Sequence, residues 1–161
     1  CDTFHIPVIS LVDEPGFLIG PDAEKKATIL HGTEAVLTVT ESQVPWSTVM
    51  IRKSFGVAAA AHYGPDGYVL AWPSAESGPL PLEGGVAVAF KKEIADAPDP
   101  EAKRKEIEQR LAKNQDPFPR AENFSVHEII DPRETREYLA NWIERVQPQL
   151  KAKLLSKRSR H

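Results

Sequence analysis

Three short apolar runs rich in β-branched residues each stop at proline or glycine, and the stretches between them have helical spacing. That alternation limits the chain to an α/β fold with helices packed on a sheet. Ile6 to Val12 reads as a buried strand, and it stops in Asp13-Glu14-Pro15-Gly16-Phe17, where the Pro-Gly pair forces a turn. Ser47 to Ile51 is a second strand that runs into Arg52-Lys53-Ser54-Phe55-Gly56, followed by Val57 and the alanines Ala58 to Ala61. Tyr68 to Trp72 is a third, ended by Pro73. From Ala23 to about Thr40, Ala27, Leu30, Ala35, Val36 and Val39 follow a helical period, and Leu82 to Ile94 holds Gly84-Gly85 and a helix over Val86 to Glu93 with Val86, Ala89 and Phe90 on one face.

The last third is predicted to be helical. Asp99-Pro100-Glu101 starts an exposed helix anchored by Ile107 and Leu111, with Asp as N-cap and Pro in the first turn. Asp131-Pro132-Arg133-Glu134 has the spacing of a capping box. The helix behind it places Tyr138, Leu139, Trp142, Ile143 and Val146 on one face, and Pro148 is expected to break or kink it. The basic stretch Lys151 to Arg160 reads as a solvated helix end.

Composition excludes several function classes. Twenty Lys and Arg against 23 Asp and Glu give a net charge of -3, which is no footprint for a phosphate backbone, so nucleic acid is not an expected partner. No window approaches a membrane span, and the N-terminus lacks a secretory layout. Cys1 is the single cysteine, which excludes an intrachain disulfide and fits a reducing, cytoplasmic setting. The chain starts at Cys1 and its one methionine is Met50, so it is expected to be a piece of something longer.

Side-chain chemistry finds little support. The histidines His5, His31, His62, His127 and His161 have no metal-ligand spacing, and no nucleophile elbow or phosphate loop occurs, so no metal is expected. His31, before Gly32, reads as a hydrogen-bonded packing histidine. Backbone chemistry remains. Pro15-Gly16 and Gly56-Val57-Ala58 each follow a strand, where adjacent N–H groups can face outward as an oxyanion hole. On spacing alone, Ala58 to Ala61 can equally be a tightly packed helix start.

Asp13-Glu14-Pro15-Gly16-Phe17 followed by His31-Gly32 resembles the Val-Asp-x-Pro-Gly-Phe loop and later His-Gly of biotin-dependent acyl-CoA carboxyltransferases. Val44-Pro45, Ile51-Arg52-Lys53-Ser54-Phe55-Gly56, Ala71-Trp72-Pro73-Ser74-Ala75, Gly84-Gly85 and Ile129-Ile130-Asp131-Pro132-Arg133-Glu134-Thr135-Arg136 come next in the family's order, so the resemblance spans about Cys1 to Val146. It is closest to the C-terminal carboxyltransferase domain of the propionyl-CoA and methylmalonyl-CoA type, and unlike the zinc-bearing acetyl-CoA carboxylase β subunit. It implies a crotonase-like spiral of β-β-α units with additional C-terminal helices. Residues 1–147 would be the biotin-side domain and 148–161 a basic helical tail, with the N-terminal acyl-CoA half absent from this chain.

The implied reaction moves CO2 from carboxybiotin to the α-carbon of an acyl-CoA. The resemblance places the biotin-side oxyanion hole on Val57 and Ala58, with Gly56 setting the turn, and has Pro15, Gly16 and Phe17, with Ala59 and Ala60, wall the biotin pocket. Biotin would arrive on a separate protein or domain, because the chain has no Ala-Met-Lys-Met motif. Biotin carboxylase, a biotin carrier protein and the N-terminal carboxyltransferase domain are the implied partners, in a homo-oligomer from dimer to hexamer. Where the family often has Gly-Gly-Ala and then Tyr-Asp, this chain has Gly56-Val57-Ala58 and then Ala59-Ala60, which implies a reshaped acyl pocket. A decarboxylase that passes CO2 from a malonyl-type thioester to biotin, and a non-catalytic assembly domain, are the alternative readings.

Overall fold

The computed structural model describes the backbone of residues 1–158 and the side chains of residues 1–82 and 84–152. Five parallel strands form one sheet: β1 (Val8–Glu14), β2 (Trp46–Phe55), β3 (Tyr68–Ala71), β4 (Glu76–Gly78) and β5 (Glu128–Ile129). The order is β1-β2-β3-β5, with β4 pairing the far end of β2. Parallel neighbours cannot be joined by hairpins, so the chain crosses over between them. The helices are α1 (Pro21–Lys25), α2 (Thr28–Thr40), α3 (Gly56–Ala60), α4 (Leu82–Ala89), α5 (Lys91–Ala95), α6 (Pro100–Ala112), α7 (Pro117–Glu122) and α8 (Thr135–Arg158).

The core lies on both faces of β2 and β3. On one face Met50, Val69, Ala71 and Val126 pack with Tyr63 and Ala121. On the other, Val49, Leu70 and Ile130 pack with Tyr138 and Leu139 of α8. Full burial of such aliphatic side chains contributes roughly 1.5–3 kcal/mol each. Register puts Leu11 opposite Val49, yet Ile9 and Leu11 stand exposed on β1.

Several boundaries differ from the sequence reading. The helix expected over Ala23 to Thr40 is two, because Ala27 adopts a left-handed φ of 55° between α1 and α2. Leu30 and Ala35 face outward and only Gly32 is buried on α2. The helix expected over Val86 to Glu93 begins at Leu82 and is interrupted at Phe90, and Ala89 is exposed, off the face buried by Val86. β2 reaches Phe55, beyond the expected Ile51.

Asp99 caps α6 by accepting from the Glu101 and Ala102 N–H groups, and Ile107 is buried as expected. Asp131 accepts from the Arg133 N–H and opens a 3-10 turn over Pro132–Glu134, so the long helix starts one turn later than the capping-box spacing implied. Pro148 does not end α8, because Val146 and Leu150 are buried on either side and hold the helix through it. The end of the basic tail, residues 159–161, lies outside the described residues. Among the described residues no helix is long and apolar enough to cross a membrane.

Arg133 donates to both Asp131 carboxylate oxygens and holds that carboxyl at about 2, below its ordinary 3.8. A depressed carboxyl contributes stability that is complete above its ordinary value and is lost as pH falls through the folded one. The urea midpoint is therefore expected to fall between about pH 4 and pH 2, and less steeply in Asp131→Asn. Equal slopes for the two proteins would remove Asp131 as a source.

Candidate functional site

β1 and β2 are neighbours, and their carboxyl ends carry the two turns singled out in the sequence. Outside the carboxyl ends of parallel strands is where such sheets bind ligands. At the first turn the Gly16 N–H donates to Glu14 Oε1 at 2.8 Å, which bends the chain back on itself with Gly16 at φ 125°. At the second, Gly56 takes φ 66°, a left-handed value that glycine adopts without strain, and the chain passes directly from β2 into α3. The turns are adjacent: a Cβ built on Gly16 would lie 4.0 Å from the Phe55 carbonyl oxygen.

α3 presents its first-turn N–H groups at the end of β2, without acceptors inside the helix. Val57 is 68 % exposed, while Ala58 is 3 % exposed and packs inward beside Ala59. Ala60 is exposed. The sequence-predicted residues Gly56, Val57, Ala58, Ala59 and Ala60 therefore form one short helix, buried at Ala58 and Ala59 and exposed at Gly56, Val57 and Ala60. Pro15, Gly16 and Phe17 lie in the neighbouring turn, and Phe17 lies against Gly32 of α2.

Three hydrogen bonds that the sequence did not indicate fix the far end of α3. Ser10 Oγ on β1 and His62 Nδ1 are 3.0 Å apart, Thr48 Oγ1 donates to the His62 carbonyl at 2.7 Å, and Ser54 Oγ and the Tyr63 hydroxyl are 2.8 Å apart. Burial pushes the Tyr63 hydroxyl up, so it stays protonated as a tether. His31 is no packing residue: it lies on the exposed face of α2, 3.2 Å from Glu34. The packing role falls to Gly32.

The model of the carboxyl transferase domain family matches residues 1–160. The chain belongs to the carboxyl transferase family. Among curated relatives, this chain is 40 % identical over 148 residues to the methylmalonyl-CoA carboxyltransferase 12S subunit of Propionibacterium freudenreichii subsp. shermanii, covering 89 % of this chain and 28 % of that one. It is 38 % identical over 144 residues to the carboxyltransferase subunit of propionyl-CoA carboxylase from Haloferax mediterranei, again 28 % of the relative and 86 % of this chain. Among solved structures, it superposes on a hexameric transcarboxylase 12S with methylmalonyl-coenzyme A and methylmalonic acid bound, at a TM-score of 0.78 and 38 % identity, covering 91 % of this chain and 29 % of that one. The fold is the crotonase-like α/β architecture that the motifs implied. The chain thus spans little more than a quarter of the length of these relatives.

Proposed function

We propose that this chain is the biotin-side part of an acyl-CoA carboxyltransferase, moving CO2 between biotin carried on another protein and the α-carbon of an acyl-CoA. The observation that carries the reading is the pair of adjacent turns, Pro15–Phe17 and Gly56–Ala60, at the carboxyl ends of β1 and β2 in a chain of this family. Biotin supplies a ureido oxygen that gains negative charge when CO2 leaves. The Val57 and Ala58 N–H groups are donors suited to that oxygen, and donors fixed beforehand where charge develops are among the larger contributions to catalysis. Gly16 and the small residues of α3 allow close approach, and Pro15 and Phe17 offer apolar surface to a flat ring. This fit needs no side-chain base, because the α-proton that the acyl-CoA gives up would pass to biotin freed of CO2.

Such donors act strongly only where water is excluded. Gly56 and Val57 are open to solvent, which supports a site closed by a second surface: the acyl-CoA half of the same enzyme, with biotin carboxylase and a biotin carrier protein as the proposed further partners. The test is transfer from malonyl-CoA and methylmalonyl-CoA to free biotin by this chain, by the acyl-CoA half and by the two combined. Activity only in the combination is the expected result, and the same assay read in reverse gives the direction. Folded samples with no transfer in any mixture across an acyl panel would leave the assembly-domain reading.

Of the two residues that depart from the family's Tyr-Asp, Ala59 is buried and Ala60 is exposed, so Ala60 is the position that can reach an acyl chain. Ala60→Asp is expected to shift kcat/KM away from longer acyl-CoAs by roughly 10-fold to 200-fold, the range for a methylene or so of pocket shape. An unchanged acyl profile would remove Ala60 from substrate choice.

A further inference from the structure

The strand that leads into the Gly56 turn is not regular. β1 and β2 pair in step up to Val12 and Met50, and the next pair is Glu14 with Ser54, so Asp13 alone lies opposite Ile51, Arg52 and Lys53. A bulge of this kind bends the strand that carries the extra residues, re-aims the residues beyond it and leaves backbone groups without ladder partners. Across this bulge β2 also changes its neighbour on the other side. Its last pair with β3 is Met50 with Ala71, and its first pair with β4 is Lys53 with Glu76. The direction of Ser54 and Phe55, and hence of the Gly56 turn, is set at these residues.

Side chains hold the bulge from both flanks. The Asp13 carboxylate accepts from the Lys53 N–H at 3.2 Å and from Arg52 Nε at 3.1 and 3.2 Å, with Arg52 Nη2 3.1 Å from Oδ2. From the β3–β4 connection, Ser74 Oγ donates to the Ile51 carbonyl at 3.0 Å. We propose that Asp13 is a positioning residue for carboxyl transfer, its carboxylate clamping the Ile51–Lys53 bulge so that the Gly56–Ala58 turn is aimed at the reacting oxygen. The Arg52 guanidinium, and then the Lys53 N–H, hold this carboxyl below the usual carboxylate range, which keeps it an acceptor at neutral pH.

A purely electrostatic surface pair would contribute little, and its loss would leave the turn where it is. A clamp makes a different prediction: misplacement of a catalytic group by about an ångström can cost on the order of 100-fold. This inference rests on the carboxyltransferase reading, so the test combines activity in the assembled enzyme with hydrogen exchange on the same samples. In Asp13→Ala, kcat is expected to fall by about 10-fold to 100-fold with KM for acyl-CoA within about twofold, and amide exchange over residues 53–58 to accelerate. Asp13→Asn keeps an acceptor oxygen for the Lys53 N–H and is expected to recover most of kcat. Ser74→Ala, which loosens the other flank, gives the same split at smaller size and serves if Asp13→Ala does not fold. Unchanged kcat and exchange in folded Asp13→Ala, or a loss in which kcat and KM move together, overturns the proposal. Wild-type enzyme inactive on every acyl-CoA overturns the functional reading instead, and the exchange result still decides whether Asp13 orders the turn.

Discussion

Val57→Pro is expected to lower kcat for carboxyl transfer by about 10²–10³-fold, the loss found when one oxyanion donor is removed. The substitution deletes a single backbone N–H at the position where the fold can spare it. Val57 is the second residue of α3, so its N–H has no acceptor inside the helix, and proline is tolerated in a first helical turn. The side chain it replaces is 68 % exposed, so little packing is lost. Gly56 has no Cβ to meet the proline ring, which removes one of the two contacts that restrict a residue before proline. Val57→Ala separates side chain from backbone: it keeps the N–H, and its loss is expected to be smaller by on the order of 10-fold or more. The measurement is kcat for transfer to free biotin in the assembled enzyme, with circular dichroism as the check on folding. Equal activities of Val57→Pro and Val57→Ala would take the Val57 N–H out of the mechanism.

The range of each interaction decides whether the sequence alone reveals it. The strand end at Pro15-Gly16 is a local steric fact, as are the Asp99 and Asp131 caps, and all three are placed where the residues imply, whereas β2 runs past the expected Ile51 to the Gly56 turn. The break at Ala27 is not signalled by its residue type: alanine in a left-handed conformation costs roughly 1–2 kcal/mol, and across the break Thr28 Oγ1 donates back to the Ala23 carbonyl. β4 and β5 are too short to show a period of two, and they exist because β2 and β3 offer them open ladders. The bulge at Ile51–Lys53 is invisible in β2 alone, since only the pairing with β1 reveals that Asp13 faces three residues. The proposed donor role of Val57 and Ala58 is suggested only by the family's ordered blocks, because the spacing of small residues fits a packed helix start equally well.

The His31-Gly32 block has a physical reason in the packing of Phe17, which belongs to the proposed biotin wall. A Cβ on Gly32 would lie 2.2 Å from Phe17 Cζ and 2.7 Å from both Cε atoms, so the ring sits where any other side chain of α2 would be. Two effects oppose each other in Gly32→Ala. Alanine gains up to about 1 kcal/mol of helix propensity over glycine, while overpacking costs about 1–3 kcal/mol unless the ring moves. Gly32 is buried and Phe17 half-buried, so the overpacking is expected to win, with a net loss of up to about 2 kcal/mol in urea unfolding. Phe17 can relieve the clash only by swinging out of its place beside Pro15 and Gly16, so the variant is also expected to weaken biotin binding. The double variant Phe17→Ala/Gly32→Ala distinguishes this contact from a general weakness of α2. With the ring gone, the new methyl meets no obstacle and the helix keeps its propensity gain. The two changes should therefore be non-additive, with a coupling of about 0.5–3 kcal/mol favouring the double variant. Strict additivity would mean that the ring already moves freely over Gly32, and then the loop after β1 would owe its shape to the Gly16 turn alone.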